Sequence, residues 1–289
     1  MRCHAAAQPS AVGGQSEAVH LSHYMAYEFD GKSYREASSH QQEWGLRLIQ
    51  ELNVGGIEEI LDLGCGDGRL TARLAELVPG GRVVGIDASA GMIAAAREQQ
   101  AKASNLAFLL GDITELDFDR EFDIVFSNAT LHWVKDHKPL LWRLYRSLKA
   151  GGVLRVNFAA DGNCLTFFKV IRQAMEQPSF AQYFSRFDWP WYMPTVDEYC
   201  TLLHQIPFAE AHAWGENADR YFADQESLIK WIDQPSLVPF LQSVADDAKE
   251  QFRSWVIAHM IAETQQDDGS CFETFRRVNV FAKKPLTRK

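Results

Sequence analysis

Three glycines in five residues, Gly64-Cys65-Gly66-Asp67-Gly68, follow the apolar run Ile60-Leu61-Asp62-Leu63 and lead into a helix-like stretch over 69–77. So dense a run of glycine would destabilise the interior of a strand or a helix. At a strand-to-helix turn it has a use, because a bare backbone lets a ligand come close to the main-chain N–H groups of a helix N-terminus. Nineteen positions after Gly68, Asp87 ends a second apolar run, Val83-Val84-Gly85-Ile86. An acid at the C-terminal end of a strand can accept hydrogen bonds from both hydroxyls of a ribose. Asp87 alone does not choose between cofactors, but the glycine spacing bears on the choice. A dinucleotide site asks for G-x-G-x-x-G, and Arg69 stands where the third glycine would be; the chain reads G-x-G-x-G, with Asp62 ahead of it.

The elements that must position these residues repeat along the first half of the chain. Apolar runs at 106–110, 122–127 and 152–157 are each expected as buried strands, with helical segments between them. Such alternation implies right-handed crossovers and a parallel sheet. Polar residues gather where the strands end: Gly111-Asp112-Ile113 after the third, Asn128-Ala129-Thr130-Leu131-His132-Trp133 after the fourth. That edge is where open α/β sheets bind ligands. Ser38 or Ser39 is expected to cap a first helix with Trp44, Leu48, Ile49 and Leu52 on its apolar face. Ser89 caps the helix over 90–101, and Asp136 a helix through Leu140, Leu141, Leu144 and Leu148. Beyond residue 158 the pattern changes to helices at 165–175, 195–205, 224–233 and 247–263. An aromatic-rich stretch over 180–194 contains Trp189-Pro190-Trp191-Tyr192-Met193-Pro194, and short strands are expected at 208–214 and 272–282. Thr195 with Glu198 forms a capping box.

The stretches Ile60-Leu-Asp-Leu-Gly-Cys-Gly-Asp-Gly68, Gly85-Ile-Asp-Ala-Ser89, Gly111-Asp112, Phe122-Asp-Ile-Val-Phe-Ser-Asn-Ala129 and Leu148-Lys-Ala-Gly-Gly152 resemble the class I S-adenosylmethionine (SAM) dependent methyltransferases over about residues 36–158. Ser127-Asn-Ala-Thr-Leu-His-Trp133 looks more narrowly like the trans-aconitate and juvenile-hormone-acid methyltransferases. The resemblance implies an α/β, Rossmann-like sheet of seven mostly parallel strands with an antiparallel last strand, to which the later helices add a lid. It implies SAM as cofactor and S-adenosylhomocysteine as product, with Asp62, Gly64, Cys65 and Gly66 around the methionine part. Asp87 and the adjoining Ala88 fall at the ribose, Asp112 and Ile113 at the adenine, and Asn128 and Ala129 near the sulfonium. Met92 reads equally as a cover for the adenine or as core. Tyr34 and Gln42 resemble residues that cover cofactor and substrate, though a packed helix explains them almost as well. Trp133, Trp191 and Tyr192 are candidate substrate-binding residues, with ordinary core packing as the alternative. His132 reads either as a general base or as a helix-surface residue. Arg220, Arg276 and Arg277 are candidate carboxylate clamps, since a guanidinium matches a carboxylate bidentately, or else surface ion pairs.

Across 289 residues the chain is 46% hydrophobic with a net charge of −9, which supports a sizeable core and argues against general affinity for a nucleic-acid backbone. Five scattered cysteines form no C-x-x-C pair, and the nine histidines show no H-x-x-x-H spacing, so no metal is expected. Scattered thiols fit a reducing compartment, and the expected location is cytoplasmic. No apolar run reaches membrane length, and residues 1–22 do not read as a signal peptide. The expected organisation is a flexible tail at 1–35 and a cofactor-binding core at 36–158. Helical lid insertions follow at 159–270, with one core strand near 208–215, and a C-terminal strand at 271–284 returns to the sheet. The expected activity is methyl transfer to a small molecule, best to a carboxylate oxygen, by a monomer or homodimer with no nucleic-acid or membrane partner. Hydroxyl, amine and carbon acceptors, a non-catalytic SAM-binding regulator and an NAD-dependent dehydrogenase are the alternatives.

Overall fold

The computed structural model describes residues 39–99 and 103–286. The sheet strands are β1 (Glu59–Leu63), β2 (Arg82–Asp87), β3 (Leu106–Leu110), β4 (Phe122–Asn128), β5 (Leu148–Ala159), β6 (Glu210–Asn217) and β9 (Arg276–Lys283). They form one seven-stranded sheet in the order β3-β2-β1-β4-β5-β9-β6. The pairs from β3 to β5 are parallel, and β9 runs antiparallel to both β5 and β6. This is the sheet the sequence led us to expect.

Strand β1 shows why both faces must be covered. Its alternate side chains enter two different cores. Ile60 packs with Leu48 and Ile49 of α1 (Ser39–Gln50) and with Leu74 and Ala75 of α2 (Arg69–Leu77). Leu61 and Leu63 face the other core, with Leu140, Leu141 and Leu144 of α4 (His137–Ser147). Helix α3 (Ala90–Gln99) starts at Ser89, whose hydroxyl accepts from the Met92 N–H, and Asp136 caps α4 through the Lys138 N–H. Strand order reverses at β1, so a crevice opens between the ends of β1 and β4, the place where such sheets hold ligands.

The second half of the chain builds a separate aromatic core. Helices α5 (Leu165–Glu176), α6 (Ala181–Phe184), α8 (Gln225–Trp231), α9 (Val238–Leu241) and α10 (Asp246–Thr264) enclose Phe167, Phe180, Trp231, Phe240 and Phe252. Two features differ from the sequence reading. Helix α7 (Val196–Leu203), expected within the lid, packs instead on the sheet, with Tyr199 and Leu203 in the core shared with α4. Its capping box at Thr195 and Glu198 is present as expected. The expected strand over 272–282 is divided into β8 (Cys271–Glu273) and β9, and β8 pairs with β7 (Arg220–Phe222) as a two-stranded ribbon. The ribbon packs on α5, α8 and α10 and could not be foreseen from three-residue strands. Among the described residues no helix is long and apolar enough to cross a membrane.

Candidate active site

The glycine turn is shaped by contacts that only glycine tolerates. Gly64 and Gly66 have φ of +67° and +54°, a left-handed backbone that side chains disfavour. A Cβ on Gly64 would overlap the Thr130 side chain, so the turn after β1 and the turn after β4 touch through bare backbone. A Cβ on Gly66 would meet no atom within 4 Å, which leaves an open cradle beside the turn. Asp87 ties this turn to β2: its carboxylate accepts from the Gly66 N–H and the Ser89 N–H, both at 2.9 Å.

Asp62 lies beneath the turn. It is buried and accepts from the Thr71 hydroxyl at 2.8 Å, and burial raises its carboxyl to about 7, with the Asp87 charge adding to the shift. A buried acid held near neutrality gains most by meeting a cation. Cys65 is buried, and its thiol is pushed well above the ordinary range by burial and by the nearby Asp62 and Asp87 charges; it stays a neutral small residue. At the far side of the crevice Asp112 caps the short helix Ile113–Glu115 and accepts from the Thr114 N–H and hydroxyl. Ile113 and Met92 are buried, and Ala88 is exposed beside Asp87. Gln42 spends its amide oxygen on Arg69 at 2.7 Å. Tyr34 lies outside the described residues. The turn, Asp87 and Asp112 therefore line one edge of the sheet, where carboxylates stand beside the buried Met92 and Ile113. That chemistry suits SAM, which presents an ammonium, a ribose and an adenine.

A concavity begins where β4 ends. Ala129 has φ of +59°, strained for a residue with a Cβ, and its N–H donates to the Asn157 carbonyl at 2.7 Å. It opens into a small cavity of about 60 Å³, whose lining also includes His40, Trp44, His132, Trp133 and Arg277. Arg277 pairs with Ala159 in the sheet, two positions beyond Asn157 on β5. Its Nε donates to the Asn157 side-chain oxygen at 2.7 Å, and its guanidinium lies 4.3 Å from the centre of the Trp44 ring. Trp133 and Trp191 meet with ring centres 5.4 Å apart.

Among the described residues, several shielded polar atoms on or beside this cavity find no protein partner: His40 Nε2, Gln41 Oε1, Asn128 Oδ1, His132 Nδ1 and Trp191 Nε1. Buried polar groups are rarely left so, and a cluster of them marks a place for a ligand or water. The histidines are neutral here. Burial, with Arg220 and Arg277 nearby, lowers His40 to about 3, while burial and Arg277 hold His132 well below its usual range.

Of the sequence candidates, His132, Ala129, Trp133 and Trp191 line the cavity, and Asn128 stands beside it, its amide donating to the Gln41 carbonyl. Tyr192 is not among the lining residues: its ring packs on His137 at 4.8 Å, and its N–H donates to the His132 carbonyl. Among the three arginines only Arg277 reaches the cavity; Arg220 pairs with Glu43 and Arg276 with Asp219. His40, Gln41 and Asn163 carried no motif, and nothing in their local sequence marks them.

A model of a methyltransferase domain matches residues 60–152. The trans-aconitate 2-methyltransferase of Deinococcus radiodurans is 36% identical over 66% of this chain and 74% of that protein. The enzyme of that name from Escherichia coli is 27% identical over 87% of this chain and 96% of its own length. In structure, the chain resembles a putative methyltransferase of Bacillus halodurans, with a TM-score of 0.54 at 18% identity, covering 84% of this chain and 99% of that one. It also resembles phosphoethanolamine N-methyltransferase 2 of Haemonchus contortus in complex with SAM, with a TM-score of 0.57 at 21% identity. That match takes in 89% of this chain and 57% of the larger protein, and both likenesses speak for the fold alone. The motifs, the sheet order and the relatives converge, and the chain belongs to the trans-aconitate methyltransferase group of class I SAM-dependent methyltransferases, an enzyme family.

Proposed function

We propose that this enzyme methylates a carboxylate oxygen of a small organic acid, in the cytoplasm, without a metal, and as a monomer or homodimer. The observation that carries the reading is Arg277: a buried guanidinium, held by Asn157 and Trp44, on the wall of a cavity that adjoins the glycine turn. Guanidinium recognises carboxylate bidentately. The relatives are named for trans-aconitate, a carboxylic acid, which supports the same acceptor.

SAM, when bound, supplies an electrophilic methyl group on a sulfonium. Around it we assign Asp62, Gly64, Cys65 and Gly66 to the methionine part, with Asp62 facing the ammonium. Asp87 and Ala88 take the ribose, and Met92, Asp112 and Ile113 the adenine. Asn128 and Ala129 hold the turn next to the transferred methyl, with Tyr34 and Gln42 covering the site. Arg277 orients the acid, and Trp133, Trp191 and Tyr192 shape the substrate side. The carboxylate oxygen forms the new O–C bond as the S–C bond breaks, and sulfur keeps the electron pair. A carboxylate with an ordinary pKa of about 4 is already ionised at neutral pH, so no base is needed. His132, neutral and shielded, then serves as a hydrogen-bonding partner for the acid. Proximity supplies the rest, and effective molarities in oriented reactions reach ~10⁵ M or more. Opposite charges cancel along the reaction, so a dry aromatic wall favours it.

The test is methyl-ester formation. Purified protein with SAM should esterify organic acids and leave the matching alcohols and amines untouched. Arg277→Met should lower kcat/KM for the acid by roughly 100-fold, the loss expected for one partner of a buried charge pair. Its SAM affinity should be unchanged. Methylation of the amines or alcohols instead of the acids refutes the reading.

A further inference from the structure

Resting on the reading that the turn after β4 faces the acceptor, we infer that His137 and Tyr199 are positioning residues for methyl transfer: they act through the backbone of that turn, hold His132 and Trp133 at the cavity, and so set turnover. Both are buried, and neither is among the residues that line the cavity. His137 opens α4 and places its Nε2 2.9 Å from the Leu131 carbonyl and its Nδ1 3.1 Å from the Tyr199 hydroxyl. A carbonyl only accepts, so Nε2 carries the ring proton. Nδ1 is then the acceptor, and the Tyr199 hydroxyl donates to it. Burial keeps the imidazole neutral and the phenol protonated, as this arrangement requires. The tautomer is therefore set from α7, by a residue 62 positions away in the chain.

What the ring holds is the short helix Leu131–Trp133. The Leu131 carbonyl accepts from the Val134 N–H at 2.9 Å as well as from His137. The His132 carbonyl accepts from the Tyr192 N–H at 2.8 Å, and the Trp133 N–H donates to the Thr130 carbonyl at 3.0 Å. The main chain of each residue in this helix is thus tied, while His132 and Trp133 line the cavity. Tyr192 also packs its ring on His137 at 4.8 Å, and its neighbour Trp191 meets Trp133 at 5.4 Å. The stretch from Trp191 to Tyr199 therefore reaches the turn by a ring at Trp133, by main chain at His132, and through His137 at Leu131. A leucine at position 137 would fill a similar space with no polar atoms to satisfy, and buried polar atoms are costly unless paired. Paired as they are here, they favour one arrangement of the backbone around them. A misplacement of about 1 Å at a reacting centre costs on the order of 100-fold in rate, so a device that fixes the turn acts on kcat more than on affinity.

The experiment follows three variants. His137→Leu removes both bonds, His137→Gln returns an N–H to the Leu131 carbonyl, and Tyr199→Phe removes the hydroxyl alone. Mass spectrometry of the methylated product gives kcat and KM with SAM and trans-aconitate, 3-phenylpropanoate, 3-phenylpropanol or 3-phenylpropylamine. The acceptor that the wild type methylates is carried through the series. His137→Leu should lower kcat by ~10-fold or more, the scale of one hydrogen bond. KM for SAM and for the acceptor should stay within about threefold of wild type. His137→Gln should recover most of the loss in kcat, and Tyr199→Phe should fall between the two. An unchanged kcat in His137→Leu, an equal loss in His137→Leu and His137→Gln, or a loss carried by KM alone overturns the inference. Methylation of the alcohol or the amine instead of the acids overturns the carboxylate reading, while the same rates still decide this one. A second arm needs no acceptor. With S-adenosylhomocysteine bound, hydrogen exchange over 131–134 should be ~10-fold faster in His137→Leu, and faster also in Tyr199→Phe, with exchange over 64–68 unchanged. Wild-type exchange over 131–134 in Tyr199→Phe, which keeps the aromatic packing, or an equal rise at 64–68, shows that the pair does not position the turn.

Discussion

Asp87 holds the free turn in shape and is also assigned to the bound nucleoside. Its two oxygens accept from the N–H groups of Gly66 and Ser89, which fixes the carboxylate at the end of β2 where the ribose is assigned. Asp87→Ala therefore removes two ligand bonds to a charged group, each worth about 1.5–3 kcal/mol, and loosens the turn as well. The SAM dissociation constant should rise by roughly 100-fold or more. An unchanged affinity by calorimetry, in a variant whose circular dichroism is native, removes Asp87 from the ribose site. Arg277 shows the same economy at the cavity. Asn157 shares its side-chain oxygen with Arg277 and donates to Asn279, which in turn accepts from Arg155. A guanidinium so fixed gives up little freedom when an acid arrives.

Helix α5 illustrates how the two-stranded ribbon ties down a neighbouring helix. Its N-cap residue, Cys164, sits at φ +51° and offers no side-chain cap. Glu273, from β8, supplies the missing acceptor: it is fully buried and receives the N–H groups of Thr166 at 3.2 Å and Phe167 at 2.8 Å. A carboxylate there also complements the helix dipole. Glu273→Ala should destabilise the protein by about 2–4 kcal/mol, because buried donors lose their partner. Glu273→Gln, which keeps a carbonyl oxygen, should lose less. Equal denaturation midpoints for all three proteins would show that α5 does not depend on this cap. Cys164 and Phe167 line the cavity, so the same cap shapes its wall.

At the scale of the whole molecule, the neutral buried histidines set an acid limit. His137, hydrogen-bonded to the Tyr199 hydroxyl and the Leu131 carbonyl, is lowered to about 4, chiefly by burial. His40 is lowered to about 3, and His132 well below the ordinary value of 6.5. From these histidines the unfolded chain binds more protons below about pH 6.5, so their share of stability falls with falling pH, a loss that Asp62, raised to about 7, partly offsets between about pH 7 and 4. For each histidine the slope approaches about 1.4 kcal/mol per pH unit, and the share of His137 is spent by about pH 4. Urea titrations at pH 7, 6 and 5 should show a steepening loss, shallower in His137→Gln. Identical pH profiles for the wild type and His137→Gln would mean that His137 titrates normally in the fold.

The chemistry of the first half was legible because it is written locally. The glycine turn, Asp87 and Asp112 each stand at the end of an apolar run, and the alternation of strand and helix fixes which edge of the sheet they share. The capping residues Ser89, Asp136 and Thr195 act within a few positions of themselves, so spacing alone reveals them. The acceptor cavity has no such signature. Arg277 lies 120 residues from Asn157 in the chain, and they meet only because β9 inserts antiparallel between β5 and β6. His40 and Trp44 join them from α1, and Phe167 and Trp231 from the lid. Each of these residues alone reads as core or surface. Local periodicity thus placed the glycine turn and the acids at one sheet edge, and the family resemblance that those motifs carry implied the cofactor and the reaction class. Long-range strand pairing and the packing of two separate cores decided which side chains line the cavity, since contacts between distant segments leave no periodic trace in the sequence.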